Sequence, residues 1–105
     1  MIDPMETKKT LRSGLLSVVL PAYNEEESVP LAADTIGGLL TGAGIDHELI
    51  FVNDGSRDHT WQAIQAAAAR RPQVRGVRFS RNFGKEAAIF AGLAQAGGDC
   101  CVVLD

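Results

Sequence analysis

Tyr23-Asn24-Glu25 sets an aromatic face beside an amide and a carboxylate, groups suited to a flat base or ring and to hydroxyls or ring N–H donors. Further along, Asn53-Asp54-Gly55-Ser56-Arg57-Asp58 carries a carboxylate, Asp54, able to accept from a base N–H or a ribose hydroxyl. Arg81 and Lys85 flank Asn82, Phe83 and Gly84 just ahead of an expected helix start, where cations and backbone N–H groups suit an anionic phosphate. Asp105, the last residue, ends an apolar run and is suited to hold a ribose or a divalent cation. Each cluster also has a plainer account. Tyr23 can pack within a turn while Glu25 and Glu26 favour a helix N-terminus. Asn, Asp, Gly and Ser are all turn formers, and Arg81 and Lys85 can be ordinary solvated charges. The turn account explains Asp54 least well, because that carboxylate sits where a strand opens onto a rim.

These clusters are positioned by four apolar runs, each of which ends in one of them. Residues 15–20 form a near-continuous apolar run stopped by Pro21, as in a strand buried on both faces. A helix follows, with Ser28 as N-cap, Pro30 in its first turn and Val29, Ala32, Ala33, Ile36, Leu39 and Leu40 on one face, until Gly42 and Gly44 end it. Residues 48–52 read as a second strand. Asp58 or Thr60 can cap a helix whose inner face carries Trp61, Ile64 and Ala68 and which Pro72 closes. Residues 74–79 form a third strand with Arg75 and Arg78 turned away from Val74 and Val77. The third helix covers about 85–96, with Ala88, Ile89, Gly92, Leu93 and Ala96 inward and Gly97-Gly98 as its stop; residues 100–104 are the fourth strand.

The order βαβαβαβ predicts an α/β fold with a parallel sheet, right-handed crossovers and helices on both faces. In the doubly wound arrangement the four strands lie in the order 3-2-1-4, with the switch point between the first and fourth. That order places residues 22–25 beside Asp105, Asp54 one strand away, and Arg81 and Lys85 on the far flank of the same rim.

Composition narrows the function further. A 105-residue chain that is 46% hydrophobic can bury one core without disulfides, and a net charge of −3 offers no basic field to nucleic acid. Cys100 and Cys101 are adjacent in an apolar run, lack metal spacing and read as small buried hydrophobes. His47 and His59 suggest neither metal nor triad and read as surface residues. Residues 1–13 read as a polar N-terminal tail ahead of a single unit over 14–105. No run approaches the roughly 18 apolar residues of a membrane span, so the chain is expected to be soluble and cytoplasmic. The first strand is followed by neither G-x-G-x-x-G nor a Walker A pattern, so the Gly-rich phosphate cradles are absent.

In sequence, the segments Val18-Val19-Leu20-Pro21-Ala22-Tyr23-Asn24-Glu25, Val52-Asn53-Asp54-Gly55-Ser56-x-Asp58, Ser80-Arg81-Asn82-Phe83-Gly84-Lys85-Glu86 and Val103-Leu104-Asp105 closely resemble the start of family 2 glycosyltransferases. Arg81-Asn82-Phe83-Gly84-Lys85 resembles the branch of dolichyl-phosphate mannose synthases and bacterial polyprenyl-phosphate glycosyltransferases. The resemblance implies a Rossmann-like GT-A nucleotide-sugar domain. It implies a pocket for base and ribose at Ala22, Tyr23 and Glu25, with Asp54 accepting from the base and Arg81 and Lys85 near base and diphosphate. Pro21 and Ser56 belong to the same implied nucleotide-binding set, and Asp105 is implied as the first carboxylate of a metal-binding Asp-x-Asp motif.

The implied donor is a UDP- or GDP-linked sugar. The implied acceptor is a polyprenyl or dolichyl phosphate at the cytoplasmic face of a membrane, and the implied cofactor is Mg²⁺ or Mn²⁺. The sequence stops before the second acid, the acceptor segments and any catalytic base. The expectation is a nucleotide-binding part of a longer enzyme that is inactive alone and carries an exposed strand edge open to self-association. Two other readings stand beside it, a receiver-like signalling domain and a noncatalytic nucleotide-binding module.

Overall fold

The computed structural model describes residues 2–4 and 12–105, with side chains from Gly14 onward. Strand β1 covers Ile2–Pro4, β2 Arg12–Ala22, β3 His47–Asn53, β4 Val74–Phe79 and β5 Gly98–Val103; the helices are α1 Ser28–Gly42, α2 Thr60–Arg70 and α3 Lys85–Gln95. The sheet order is β1-β4-β3-β2-β5, parallel throughout except for β1, which runs antiparallel along β4. The four strands expected from sequence therefore stand in the order 3-2-1-4. The polar tail expected over residues 1–13 supplies the extra edge strand at Ile2–Pro4, and Arg12 and Ser13 already belong to β2; residues 1 and 5–11 lie outside the described residues.

Two apolar layers hold the sheet. On one face Val29 and Ala33 of α1 and Trp61, Ile64 and Ala67 of α2 pack on Val18, Leu20, Leu49, Phe51 and Val74. On the other, Ala88 and Ala91 of α3 pack on Val19, Ile50, Val52, Val77 and Phe79. Strand β3 is buried along its whole length, which is why it reads as a continuous apolar run rather than an alternating one. Gly92 lets α3 sit close: a Cβ there would stand 2.3 Å from Val19 Cγ1 and 3.2 Å from Val52 Cγ2.

At the amino-terminal end of the sheet a buried polar knot ties four elements. Glu48 accepts from the Ser17 hydroxyl at 2.6 Å, from the Gly97 N–H at 2.6 Å and from Arg75 Nη1 at 2.6 Å, while Arg75 also donates to the Gln95 carbonyl at 3.0 Å. Burial alone would push the Glu48 carboxyl up, but the bonds from Ser17, Gly97 and Arg75 hold it below its ordinary value.

Several expectations are corrected here. Arg75 and Arg78 are three residues apart on a strand, so they face opposite sides: Arg75 turns inward to Glu48 and Arg78 lies over the Trp61 ring at 5.4 Å. Leu39 is 69% exposed and Leu93 37% exposed, because α1 and α3 each touch the sheet along a narrower stripe than their apolar residues suggest. His47 is buried, its Nδ1 2.9 Å from the Ile45 carbonyl oxygen. Cys100 and Cys101 are exposed rather than buried, since β5 is an edge strand with little packed on either face among the described residues.

Candidate functional site

The site is assembled from three loops at the carboxyl ends of the parallel strands. The first two are stitched together. Asn24 adopts φ 53°, a left-handed conformation that asparagine tolerates better than most residues. Its N–H donates to Ser56 Oγ at 2.9 Å while its own Oδ1 accepts from the Arg57 N–H at 2.8 Å. The Glu25 N–H donates to Thr60 Oγ1 at 2.8 Å, and the Glu26 N–H donates to Asp58 Oδ2 at 3.3 Å. Asp58 also accepts from the Thr60 hydroxyl and N–H, and these bonds hold its carboxyl below the ordinary aspartate range. The N–H groups of the turn ahead of α1 are thus satisfied by residues from the next loop, while the first helical amides, of Ser28 and Val29, donate to the Glu25 carbonyl at 3.1 and 3.0 Å.

The third loop, between β4 and α3, is built on Asp54. This side chain is 3% exposed. Its Oδ1 accepts from the N–H of Phe83 at 2.8 Å and of Gly84 at 3.3 Å; its Oδ2 accepts from the Gly84 N–H at 3.1 Å and from Asn82 Nδ2 at 3.2 Å. Asn82 Nδ2 also reaches the Asp54 carbonyl at 3.1 Å. The next residue, Gly55, has φ 67° and lies against the same loop, where a Cβ would meet the Arg81 carbonyl carbon at 2.1 Å and the Asn82 nitrogen at 2.3 Å. Only glycine fits this close approach.

Between the loops lies a cleft of about 270 Å³. Pro21, Ala22, Tyr23 and Glu25 line it together with Asp54, whose N–H donates to the Ala22 carbonyl at 2.9 Å, and Lys85 and Asp105 complete the rim. Lys85 Nζ and Asp105 Oδ2 are 2.5 Å apart on the exposed rim, and that hydrogen bond raises the Lys85 pKa above its ordinary value. A second hollow of about 210 Å³, mostly apolar, adjoins the first through Pro21, Ala22, Glu25 and Asp105.

The cleft gathers Pro21, Ala22, Tyr23, Glu25, Asp54, Lys85 and Asp105 from segments far apart in sequence. It does not include Ser56 or Arg81 in its wall: Ser56 is spent on Asn24, and the Arg81 guanidinium lies 5.3 Å from the Phe83 ring centroid. The phosphate site expected at the start of α3 is a different matter, because the Phe83 and Gly84 N–H groups already serve the Asp54 carboxylate. Asn24 and Asn82 carry roles the sequence reading did not give them, although an asparagine flanking a turn glycine or a strand end is a recognisable signal for side-chain-to-backbone bonding.

Among the described residues no three His, Cys, Asp or Glu side chains gather as a metal centre. Asp105 offers a single carboxylate, which fits Mg²⁺ only where substrate phosphates complete the shell. No helix of the described residues is long and apolar enough to cross a membrane.

With this geometry in view, the comparisons with known proteins are specific. The family model "Glycosyl transferase family 2" matches residues 17–105. The chain is 42% identical over 90 residues to the prophage bactoprenol glucosyl transferase homolog of Escherichia coli (strain K12), covering 86% of this chain and 29% of that protein. It is 42% identical over 92 residues to the undecaprenyl-phosphate 4-deoxy-4-formamido-L-arabinose transferase of Pseudomonas paraeruginosa (strain DSM 24068 / PA7), covering 87% of this chain and 27% of that one. The chain therefore spans less than a third of the length of these relatives. Among solved structures, the mannosyltransferase PcManGT of Pyrobaculum calidifontis, in complex with GDP-Man and Mn²⁺, superposes with a TM-score of 0.67 at 25% identity over 77% of this chain and 24% of that one. S. aureus TarS shares the fold, with a TM-score of 0.65 at 23% identity over 86% of this chain and 26% of that one. The Rossmann-like GT-A arrangement is the fold of this chain, and the receiver-like reading finds no support in a strand tip occupied by Ala22 and Tyr23.

Proposed function

The chain belongs to glycosyl transferase family 2, and from that premise we propose that it is the nucleotide-binding part of an enzyme that moves a sugar from a nucleotide sugar to a polyprenyl phosphate. The observation that carries this reading is the cleft itself. It brings an aromatic residue, three acids and a lysine from separate loops to the carboxyl ends of the strands, at the switch point between β2 and β5.

In this reading Ala22, Tyr23 and Glu25 line the base and ribose pocket, with Pro21 and Asp54 as walls. Lys85 turns from Asp105 to the diphosphate when the donor enters. Ser56 contributes by holding the Asn24 turn, and Arg81 by standing beside the rim on Phe83. A phosphate oxygen of the lipid attacks the anomeric carbon. The new C–O bond forms on the face opposite the breaking bond to the nucleotide diphosphate, which inverts the centre. Mg²⁺ or Mn²⁺, when bound at Asp105 and the diphosphate, supplies neutralisation of the charge on the leaving group. The structure with GDP-Man and Mn²⁺ supports a divalent cation in such a fold. The bactoprenol and undecaprenyl-phosphate relatives support the lipid class, and the reading sets the reaction at the cytoplasmic face of a membrane.

The reading is tested by amide NMR titration of the chain with UDP and GDP, each with and without Mg²⁺. Perturbations centred on residues 22–25, Asp54 and Lys85 are expected. A dispersed spectrum that responds to neither nucleotide would remove the half-site.

A further inference from the structure

We propose that Ser17 and Glu48 are positioning residues for Asp105: the buried knot they form at the amino-terminal end of the sheet sets the register of β5 on β2, and with it the place where the Asp105 carboxylate meets the cleft. This rests on the reading of Asp105 as the carboxylate beside cation and diphosphate, and deepens it. Strand β5 has no apolar face to set its own register. Among the described residues it pairs with β2 alone, and Val102 and Val103, which point to opposite faces, are 39% and 37% exposed. A one-residue slip exchanges the faces of a strand, and burial resists it only where one face is buried.

What holds the register is polar and lies at the first residues of the strand. Glu48 Oε2 accepts from the Gly97 N–H and from the Ser17 hydroxyl, each at 2.6 Å, and Ser17 Oγ in turn accepts from the Gly98 N–H at 2.9 Å. Arg75 holds the other Glu48 oxygen and also the carbonyl of Gln95, the last residue of α3. Asp99 Oδ2 accepts from the Gly14 N–H at 3.1 Å, beside the irregularity where β2 takes four steps, from Arg12 to Leu16, against two of β5. Sterics supply only half of the restraint. A slip that carried Asp99 into the place of Gly98 would set a Cβ 2.3 Å from the Leu15 carbonyl oxygen, whereas the opposite slip brings in Gly97, which has none. The bonds to Ser17 and Glu48 oppose that second slip. From Gly98 the strand runs to Val103, and the Leu104 N–H donates to the Val19 carbonyl at 2.9 Å just before Asp105. Each residue of slip moves Asp105 by about 3.3 Å along the strand, more than a Mg²⁺–oxygen distance of about 2.1 Å. The carboxylate then no longer shares a cation with the diphosphate.

The test follows the wild type, Ser17→Ala, Glu48→Gln and Ile64→Val by NMR with UDP and GDP, each with and without Mg²⁺. Ser17→Ala removes the acceptor of the Gly98 N–H, and Glu48→Gln keeps the volume but turns an NH₂ group toward donors. Ile64→Val loosens the core under α2, away from β5, and is the control for a loss of stability alone. In both knot variants the cross-strand nuclear Overhauser contacts that pair Val19 with Val103 are expected to vanish or shift by one residue. The ratio of dissociation constants without and with Mg²⁺ is expected to fall about tenfold, or to unity where the wild-type ratio is smaller, the scale for losing a group that orients a metal ligand. Affinity without Mg²⁺ should hold, and Ile64→Val should keep both the contacts and the ratio. In a folded knot variant, either readout left unchanged would overturn the proposal, as would an equal fall in Ile64→Val or an equal loss of affinity without Mg²⁺. If neither knot variant folds, Asp99→Ala, which removes the Gly14 contact, is judged by the same two readouts. If the wild type binds no nucleotide or ignores Mg²⁺, the reading of Asp105 falls by itself. Positioning is then decided by the Val19–Val103 contacts, whose survival in the knot variants would refute it.

Discussion

Replacing Glu48 with alanine is expected to cost the chain a large share of its stability, because the carboxylate is the centre of the polar knot beneath the sheet. Three donors converge on it at 2.6 Å: the Ser17 hydroxyl, the Gly97 N–H and Arg75 Nη1. Hydrogen bonds to a charged group contribute about 1.5–3 kcal/mol each, but desolvation of the pair offsets much of that sum. The truncation itself leaves the Arg75 guanidinium, 18% exposed at its side chain, without its carboxylate, and breaking such a buried pair costs about 3–5 kcal/mol. A domain has only about 5–15 kcal/mol in total. With a urea m-value of about 2 kcal/mol/M, the midpoint falls by about 2 M.

Trp61, the single tryptophan and 8% exposed, reports the transition by fluorescence. The pH dependence carries a definite sign. Because the folded-state carboxyl is held below its ordinary value, its contribution is fully present above the ordinary glutamate range and fades as pH falls through the lowered value. The wild-type and variant midpoints should therefore converge in acid. A loss under about 1 kcal/mol at pH 7, or a gap undiminished at pH 3, would refute the account; it would mean that Arg75 and Gly97 find other partners at little cost. Asp34→Ala, which breaks only an exposed pair with Arg70 and Arg71, is the control and should leave the midpoint unmoved.

Gly92→Ala drives a methyl to 2.3 Å from Val19 Cγ1 and should destabilise the chain by about 1–3 kcal/mol in the same urea assay, with Val19→Ala recovering part of the loss. Gly55→Ala places a Cβ 2.6 Å from the Arg81 Cα at a residue with φ 67°, so both stability and the response of Phe83 and Gly84 to nucleotide should fall; an unchanged spectrum would contradict the close approach. Asp105→Asn should leave nucleotide binding in place while removing any enhancement by Mg²⁺, read as the ratio of dissociation constants with and without the cation. Leu104 N–H bonds to the Val19 carbonyl, so the N–H of Val103 points to the free edge of β5. Val103→Pro should therefore suppress concentration-dependent self-association in analytical ultracentrifugation without unfolding the chain.

The sequence by itself determined the order of strands and helices from β2 to β5, the order 3-2-1-4 of the four parallel strands and the rim to which the four polar clusters come, but not the antiparallel edge strand at Ile2–Pro4. Those follow from local rules: apolar runs of strand length stopped by Pro21 or turn residues, apolar positions at helical spacing, and the handedness that parallel crossovers obey. The motif spacing carried the family for the same reason, since each motif is a contiguous loop.

What a residue does within its loop was decided by the tertiary structure. Asp54 and Asp105 are both acids at strand ends, yet one is buried under three donors and the other stands on the rim with Lys85. Glu48 and Arg75 look like surface charges on two strands until the sheet places them against Gly97, and Cys100 and Cys101 look like core until β5 proves to be the edge. Hydrogen-bond saturation and burial belong to pairs of residues distant in the chain. No local pattern encodes which donor a carboxylate meets across a sheet.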